Sequence, residues 1–278
     1  MKFKYTLLLV FASCSCCLSQ ASFLKSHPQL AYWKLGNHSD VLIVLHGGPG
    51  VDHQYLRPEL DGLDKFATVI YYDQRGCGKS ERADSYTWQD HVEDLRRIIH
   101  TLSPKKKIFL AGSSWGSLLA ILYSYTYPDA VKGLILSGTV RWPGQGIPFT
   151  RQGEVKYKIP RTQLMHEKSL VKNSGADGAT RMDTISISKL VEVQSGAPNT
   201  ETMMSLISAP ISDSLSRIRM PIILFNGPMS RKFDWVDHYL ALFPAAELHT
   251  FEVAGHDPWF SDPKRFAQTC GDFIFKHR

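Results

Sequence analysis

Cysteine is scarce in this sequence, and most of it lies in one place. Of the five cysteines in 278 residues, Cys14, Cys16 and Cys17 stand near the N-terminus. Cys77 and Cys270 are far apart in the remaining chain, and the sequence alone does not bring them together. We therefore expect two buried free thiols there, with a disulfide in an oxidising compartment as the alternative.

Signatures of bound cofactors and nucleic acids are also absent. The sequence has neither a G-x-x-x-x-G-K-[ST] phosphate loop nor a cluster of His, Cys and carboxylates with the spacing of a metal site. Its net charge of +6 is modest, and its one short basic run, Lys105–Lys107, is typical of a solvated loop. No nucleic-acid-binding motif accompanies this charge. The sequence thus implies no cofactor and no nucleic-acid partner.

No apolar run is long enough to cross a membrane, but the first residues have the composition of a leader. The run Leu7–Ala12 is preceded by two lysines and followed by Ser19–Ala21, a small-x-small cleavage site. We therefore predict that residues 1–21 are a secretory signal peptide and that the protein is exported, either to the periplasm or out of the cell. In the alternative, Phe11–Cys14 is a loose lipoprotein box and Cys14 carries a lipid anchor. The phenylalanine fits such a box poorly, so we favour simple cleavage.

The rest of the chain contains short, continuous apolar runs that alternate with helical patterns. Continuous apolar runs are typical of strands that are buried on both faces of a parallel sheet. This order predicts an α/β fold, a mostly parallel, doubly wound sheet with helices on both faces. The predicted strands are Leu30–Leu35, as an edge strand, followed by Val41–Leu45, Thr68–Tyr72, Ile108–Ala111, Val131–Leu136, Met220–Asn226 and Glu247–Val253. The predicted helices are Tyr86–Leu102, capped by Thr87, Leu118–Tyr125, Asp234–Phe243 and a last helix that begins at Asp262 or Pro263.

The α/β pattern is interrupted in the middle of the chain. Proline and glycine are frequent just after Arg141, and polar residues dominate from Lys172 to Arg181. The apolar content of this region argues against a disordered linker. We interpret residues 141–217 as a small cap inserted over the site, with residues 22–140 and 218–278 forming the core.

A G-x-S-x-G pattern stands between a predicted strand and a predicted helix. In this pattern, Gly112–Gly116, the central Ser114 is the candidate nucleophile. In a nucleophile elbow the serine sits on a strained turn at the carboxyl end of the sheet. The turn brings strand and helix so close that glycine is needed on both sides of it. The alternative is an ordinary Gly/Ser loop between two core elements.

The other groups that acyl transfer needs are also found at the carboxyl ends of predicted strands. His256, which follows the last strand, is the candidate base. The oxyanion hole needs two backbone N–H groups, which we assign to Trp115 and Gly48. His46 begins the glycine-rich loop that contains Gly48, and we expect it to shape this loop rather than to transfer protons. Because ligands bind at this edge of such sheets, these groups should meet in one place.

Four segments together closely resemble the prolyl iminopeptidases, serine peptidases with the α/β-hydrolase fold. They are His46–Gly50 (HGGPG), Asp73–Ser80 (DQRGCGKS), the helix start at Tyr86–Trp88 and the segment Gly112–Ser117. The resemblance is dense from about residue 40 to 140 and resumes at about residue 220. It implies an α/β-hydrolase fold, no cofactor, a small peptide or ester substrate and release of an N-terminal proline or another small residue.

The sequence departs from the resemblance at the catalytic acid. The resemblance places this carboxylate about three residues after the glycine that ends the sixth strand, Gly227, and Ser230 stands there instead. The first carboxylate downstream is Asp234, which we assign as the acid. Asp237, or no carboxylate at all, is the alternative.

A second departure concerns the cap, which is short. The resemblance implies a cap carboxylate that binds the free amino group of the substrate, and no spacing selects one. Candidates by type are Glu154, Glu167, Glu192 and Glu201, each of which is otherwise an ordinary surface charge. An esterase or lactonase for small acyl substrates and a degenerate hydrolase that only binds a ligand therefore remain alternatives. An epoxide hydrolase or dehalogenase is disfavoured, because those enzymes need Asp at the elbow.

Overall fold

A computed structural model describes residues 20–139, 196–209, 212–227, 236–251 and 256–278. The described residues form an eight-stranded sheet with strand order β1-β2-β4-β3-β5-β6-β7-β8. From β4 to β8 in this order, each strand pairs in parallel with its neighbour. The pairs β1–β2 and β2–β4 are antiparallel. The strands are β1 Ser22–Phe23, β2 Ala31–Leu35, β3 Val41–Leu45, β4 Thr68–Tyr72, β5 Ile108–Ser113, β6 Val131–Ser137, β7 Ile222–Asn226 and β8 Glu247–Thr250.

One sequence expectation about the sheet is wrong: β2 is not its edge strand. The two-residue strand β1 covers the outer side of β2, with Ser22 opposite Tyr32 and Phe23 opposite Ala31. The backbone N–H of Leu24 also donates to the carbonyl of Leu30, at 2.9 Å. A two-residue strand is too short to show a period of two, so the sequence carried no signal for it.

Four of the described helices lie at the predicted positions, with ends shifted by a few residues, whereas the helix Gly196–Ser205 was not predicted. The predicted cap of the first helix is confirmed, since Thr87 and Asp90 form a reciprocal capping box. Asp262 caps the last helix by accepting a hydrogen bond from the N–H of Arg265, at 3.0 Å. The helices are α1 Trp88–Leu102, α2 Trp115–Thr126, α3 Gly196–Ser205, α4 Val236–Leu242 and α5 Pro263–His277.

The core lies on both faces of the sheet. Alternate residues of β3 belong to different apolar clusters: Ile43 packs with α1 and α2, and Val44 packs with α5. This two-sided burial explains why the strands have continuous rather than alternating apolar sequences. The cysteine prediction is also confirmed, because Cys77 and Cys270 are both buried and free.

Some predicted segments lie outside the described residues. They include most of the predicted signal peptide with Cys14, most of the predicted cap, and the candidate acid Asp234. The described part of the segment predicted to be a cap contains α3, which packs against α1. Among the described residues, no helix combines the length and the apolar character that a membrane span requires.

Candidate active site

The turn at Ser114 has the backbone geometry predicted for a nucleophile elbow. Ser114 lies between β5 and α2 with φ 56° and ψ −119°, and among the described non-glycine residues it alone has a positive φ. A Cβ built on Gly112 would lie 2.4 Å from the carbonyl carbon of Gly116, and one built on Gly116 would lie 2.1 Å from the carbonyl oxygen of Leu45. The two glycines are therefore required by close backbone contact. The strained conformation at Ser114 costs about 1–3 kcal/mol, which the surrounding structure must offset.

Hydrogen bonds to the neighbouring strand hold the elbow in place. The N–H of Ser114 donates to the carbonyl of Ser137 at the end of β6, at 3.0 Å. The hydroxyl of Ser117 lies 2.8 Å from this carbonyl and 2.8 Å from the carbonyl of Gly112. The first turn of α2 is thereby fixed to the ends of both β5 and β6.

His256 lies at the same edge of the sheet as Ser114. A Cβ built on Gly138, which follows β6, would lie 2.8 Å from Nε2 of His256. Ser114 follows β5, and Gly138, which contacts His256, follows β6. Because these two strands are adjacent and pair Ser113 with Ser137, Ser114 and His256 lie beside neighbouring strand ends. His256 is an exposed residue, as a base that must reach a substrate requires.

The structure leaves the catalytic acid open. Asp234 lies outside the described residues. Asp237 lies in the first turn of α4, where it is exposed to solvent. Its assignment as the alternative acid therefore stays a prediction, as does that of Asp234.

His46 is fully buried at the start of the oxyanion loop, His46–Gly50, and both of its ring nitrogens are engaged. Its Nε2 accepts a hydrogen bond from the N–H of Gln74, at 3.0 Å. Its Nδ1 must then carry the proton, and it donates to the carbonyl of Gly47, at 2.8 Å. Burial lowers the pKa of His46, which favours this neutral form. The ring thus shapes the loop, as predicted from the sequence.

These bonds orient the peptide group that carries the N–H of Gly48. The carbonyl of Gly47 faces His46, and in a planar trans peptide the N–H of Gly48 must point the opposite way. The N–H of Gly47 is used by Tyr55, whose hydroxyl accepts it at 2.7 Å. A Cβ built on Gly47 would lie 3.3 Å from Cβ of Ser114, so this loop lies directly against the candidate nucleophile.

Two backbone N–H groups at this point have no acceptor among the described residues. They are the N–H of Gly48 and that of Trp115, the first residue of α2. The first N–H groups of a helix have no intrahelical acceptor and attract negative charge. The arrangement suits a pair of oxyanion donors, and these roles stay predictions.

The comparisons with known proteins agree with this geometry. The model of the family described as the alpha/beta hydrolase fold matches residues 40–184, just over half of the chain. The chain belongs to the α/β-hydrolase family. Within that family it is similar to the proline iminopeptidases.

Two relatives support the similarity to the proline iminopeptidases. The proline iminopeptidase of Thermoplasma volcanium is 41% identical over 107 residues, which are 38% of this chain and 36% of that protein. This alignment thus spans about a third of the relative's length. The proline iminopeptidase of Heyndrickxia coagulans is 26% identical over 264 residues, covering 84% of this chain and 90% of that protein.

A solved structure supports the fold. A thermophilic esterase from Thermogutta terrifontis, with malate bound, superposes with a TM-score of 0.69 at 21% identity. The superposition covers 94% of this chain and 100% of the esterase. At this identity the likeness establishes the fold of the hydrolase and not its substrate.

Gln74 in the DQRGCGKS motif of this hydrolase links the oxyanion loop to the elbow. Its side-chain N–H donates to the carbonyl of His46, at 2.9 Å. Its side-chain oxygen accepts a hydrogen bond from the indole N–H of Trp115, at 2.7 Å. In the sequence this motif is only a mark of resemblance, and no local pattern predicts that Gln74 forms a bridge.

The two residues that flank Gln74 in the motif each make buried polar contacts. Asp73 accepts hydrogen bonds from Nδ1 of His53, at 2.7 Å, and from the N–H of Lys79, at 2.8 Å. Arg75 makes a bidentate contact with Asp94 on α1, with distances of 2.7 and 2.9 Å. Arg75 also donates to the carbonyl of Ser85, at 2.7 Å. These contacts attach the loop after β4 to His53, which lies shortly after the predicted oxyanion loop, and to helix α1.

Further side chains near the site were missed by the sequence analysis. The hydroxyl of Ser113 donates to Oδ1 of Asp257, at 2.7 Å. The only sequence signal was position, because Ser113 precedes Ser114 and Asp257 follows His256.

Helix α3, in the segment predicted to be a cap, contacts the predicted oxyanion loop. Asn199 donates from its side chain to the carbonyl of Pro49, at 3.1 Å. Glu201, one of the four predicted amine-binding carboxylates, accepts the N–H of Tyr86 at 3.0 Å. This hydrogen bond gives Glu201 a structural role. Glu154, Glu167 and Glu192 lie outside the described residues.

Side chains that could bind a metal ion are dispersed among the described residues. Across the described ranges, no three side chains of His, Cys, Asp or Glu come together in a way that would hold a metal ion.

Proposed function

We propose that this α/β hydrolase is a serine hydrolase and, within that class, an aminopeptidase that releases N-terminal proline or another small residue. The convergence of Ser114, His256 and the oxyanion loop at one sheet edge carries the hydrolase part of the proposal. The two proline iminopeptidase relatives support the peptidase part.

In the proposed reaction, Ser114 Oγ attacks the substrate carbonyl carbon while His256 takes the hydroxyl proton. The N–H groups of Trp115 and Gly48 stabilise the oxyanion that forms. His256 then gives its proton to the leaving amine or alcohol, and a water molecule activated by His256 hydrolyses the acyl-enzyme. Asp234 holds the imidazole in orientation and stabilises its protonated form.

A second candidate function is hydrolysis of small esters or lactones. The specific observation in its favour is the hydrogen bond from Tyr86 to Glu201, because it engages the one described cap carboxylate that was a candidate for binding a substrate amine. The esterase structure that shares the fold is consistent with this alternative.

A rate comparison on the protein lacking residues 1–21 tests both candidates. We would measure proline and alanine anilides, an N-blocked proline anilide and a short-chain nitrophenyl ester. We expect hydrolysis of proline anilide that is lost when its amine is blocked. Ser114→Ala should reduce turnover by about a thousandfold or more.

The other outcomes separate the alternatives. Turnover of the ester alone, lost in Ser114→Ala, would retain the serine hydrolase and remove the peptidase assignment. Turnover that survives in Ser114→Ala would refute both. No turnover of any substrate would favour a degenerate hydrolase that binds a ligand.

We also propose that the protein is exported and cleaved near Ala21. The support is the sequence of residues 1–21 alone. The intact mass of the protein isolated from its native host tests this proposal. A mass that includes residues 1–21 would exclude cleavage, and a lipid on Cys14 would establish the lipoprotein alternative.

A further inference from the structure

Helix α3 contacts the candidate site at two places, one on each side of the proposed oxyanion hole. Asn199 reaches the predicted oxyanion loop directly. Thr202 reaches Trp115 through the side chain of His91. We infer that Asn199 and Thr202 are positioning residues, which hold the two proposed oxyanion donors at a fixed separation. This inference rests on the proposed serine hydrolase function and gives the described part of the predicted cap a role in that reaction.

The contact on the loop side is a hydrogen bond to the backbone. The side-chain N–H of Asn199 donates to the carbonyl of Pro49, at 3.1 Å. The residues on both sides of Pro49 are Gly48 and Gly50, which have φ of 110° and 102°. Because glycine has more backbone freedom to lose than any other residue, this segment needs a restraint from outside. His46 supplies one restraint before Gly48, and Asn199 supplies the other after it.

On the elbow side, the acceptors around the Thr202 hydroxyl fix the hydrogen positions. Oγ1 of Thr202 lies 2.7 Å from the carbonyl oxygen of Tyr86 and 2.6 Å from that of Pro198. Its one hydrogen must be directed at these oxygens, so Nε2 of His91, at 3.0 Å, carries a proton and donates to Thr202. Burial lowers the pKa of His91 to about 3, which keeps the imidazole in this neutral form.

The oriented imidazole of His91 packs against Trp115. The two rings meet in a T-shaped contact, with centroids 5.3 Å apart and ring planes at 72°, and both residues are buried. Contacts of this kind contribute about 0.5–1.5 kcal/mol beyond burial. Because the indole N–H is also bonded to Gln74, at 2.7 Å, the side chain of Trp115 has a fixed place in the core. Its backbone supplies a proposed oxyanion donor, so a shift of His91 would displace that donor.

Helix α3 is itself held by the N-terminus of α1. The N–H of Trp88, the first residue of α1, donates to the hydroxyl of Ser205, at 2.8 Å. The N–H of Tyr86, just before this helix, donates to the carboxylate of Glu201, at 3.0 Å. The first N–H groups of a helix have no intrahelical acceptor, so side chains of α3 complete the hydrogen bonding of this end of α1. The two positioning residues therefore project from a helix that is fixed to the backbone of the core.

The test uses variants that each remove one contact of α3. Thr202→Val removes the hydroxyl and keeps the shape of the side chain, and Asn199→Ala removes the donor to the loop. The matched control for the first is Thr126→Val at the end of α2, because the Thr126 hydroxyl also donates to a carbonyl four residues earlier. The control for the second is Asn37→Ala, at an exposed position after β2.

Two measurements report on the oxyanion donors. We would measure kcat and KM on the best substrate, with active sites counted by complete labelling of Ser114 with a fluorophosphonate. An alkyl boronic acid, whose adduct with Ser114 resembles the tetrahedral intermediate, provides the second readout. Its affinity depends on the oxyanion donors and requires no turnover.

We expect kcat per active site to fall about tenfold to a hundredfold in Asn199→Ala and in Thr202→Val, with KM nearly unchanged. Affinity for the boronic acid should fall by a similar factor. His91→Phe keeps an aromatic ring but cannot donate to Thr202, so it should reproduce the loss in Thr202→Val. The double variant His91→Phe/Thr202→Val should lose no more than the more impaired single variant, because both changes remove the same hydrogen bond. The two control variants should retain the activity of the unmodified enzyme.

Three results would overturn the inference. The first is a kcat per active site within about twofold of the unmodified enzyme in either Asn199→Ala or Thr202→Val. The second is a higher KM with unchanged kcat, since α3 would then bind substrate rather than position the donors. The third is a loss of activity that follows only the fraction of labelled sites, since that would indicate a folding role. Each leaves the proposed function standing if Ser114→Ala is inactive, whereas activity in Ser114→Ala would refute the proposed function itself.

Discussion

The indole N–H of Trp115 donates a 2.7 Å hydrogen bond to the side-chain oxygen of Gln74. The same Gln74 donates to the carbonyl of His46, so one amide joins the helix after the candidate nucleophile to the start of the oxyanion loop. Both proposed oxyanion donors, Trp115 and Gly48, thereby depend on one buried side chain. The DQRGCGKS motif thus links segments of the candidate site through Gln74.

Replacing Gln74 should impair activity and stability together. Gln74→Met keeps the approximate volume but leaves the indole N–H of Trp115 and the carbonyl of His46 without their partner. We expect a loss of about 1–3 kcal/mol of unfolding free energy for each buried group left unpaired. We also expect kcat to fall about tenfold or more.

Urea denaturation and steady-state kinetics check this prediction. Gln268→Met, at a side chain that bonds only to Asp272 on the exposed face of α5, is the matched control. A Gln74→Met enzyme as active and as stable as this control would show that the bridge is dispensable.

The elbow glycines should tolerate no side chain. In Gly116→Ala, the new Cβ would lie 2.1 Å from the carbonyl oxygen of Leu45, a backbone atom that cannot turn away. We predict a destabilisation of about 3 kcal/mol or more, or failure to fold.

The control is Gly62→Ala, where the nearest atom to a new Cβ is Cβ of Ala267, at 4.0 Å. We expect this change to alter the unfolding free energy by less than about 1 kcal/mol. Thermal unfolding of both proteins provides the measurement. Equal stability of the two variants would contradict the close contact at the elbow.

The buried pair of Asp73 and His53 should stabilise the protein in a pH-dependent way. Burial alone would raise the pKa of Asp73, but the hydrogen bonds from His53 and from the N–H of Lys79 and the neighbouring imidazoles together outweigh it and lower this pKa. The unfolded chain therefore takes up the proton first as the pH falls. The contribution of Asp73 is fully present above its unfolded pKa of about 4 and is lost as the pH falls through the lower folded value.

In Asp73→Asn, the unfolding free energy should accordingly change less as the pH falls below neutral. We expect a loss of about 1–3 kcal/mol at neutral pH, since the amide replaces a buried carboxylate that accepts hydrogen bonds from His53 and from the N–H of Lys79. Urea midpoints between pH 3 and pH 7 measure both effects. An unchanged difference between variant and unmodified protein across this range would exclude the predicted linkage.

Asp257 should have the opposite pH dependence. Burial raises its pKa, although the charge of His256 and the hydrogen bond from Ser113 act against this shift. A raised folded pKa means that the folded chain binds the proton more tightly than the unfolded chain. Between the two pKa values, the contribution of Asp257 to stability therefore falls as the pH rises.

Asp257→Asn should then be more stable than the unmodified protein at pH 7, and this gain should diminish at about pH 4. Such a result would show that the charge of Asp257 lowers the stability of the folded protein at neutral pH. Thermal unfolding at the two pH values gives the answer. A gain that is equal at both pH values would rule out the titration of Asp257 as its source.

Local patterns in the sequence were enough to predict much of the fold. The strands Val41–Leu45 and Thr68–Tyr72 have the predicted bounds, because burial on both faces leaves continuous apolar runs that end at polar loops. The cap at Thr87 was predictable for a similar reason, since its hydrogen bonds reach only to Asp90. The elbow at Ser114 was also predictable, because two glycines at fixed spacing mark a turn that excludes side chains.

The support of the site was decided by the tertiary structure. Ser113 and Asp257 are 144 residues apart, and no local pattern shows that their side chains meet. The same holds for Asn199 and Pro49, 150 residues apart, and for Gln74 and Trp115. The sequence by itself thus determined the chemistry of the candidate nucleophile, base and oxyanion loop, since each is encoded in a short segment. Only the packing of distant strand ends at one sheet edge determined which buried hydroxyls, amides and carboxylates hold these groups in position.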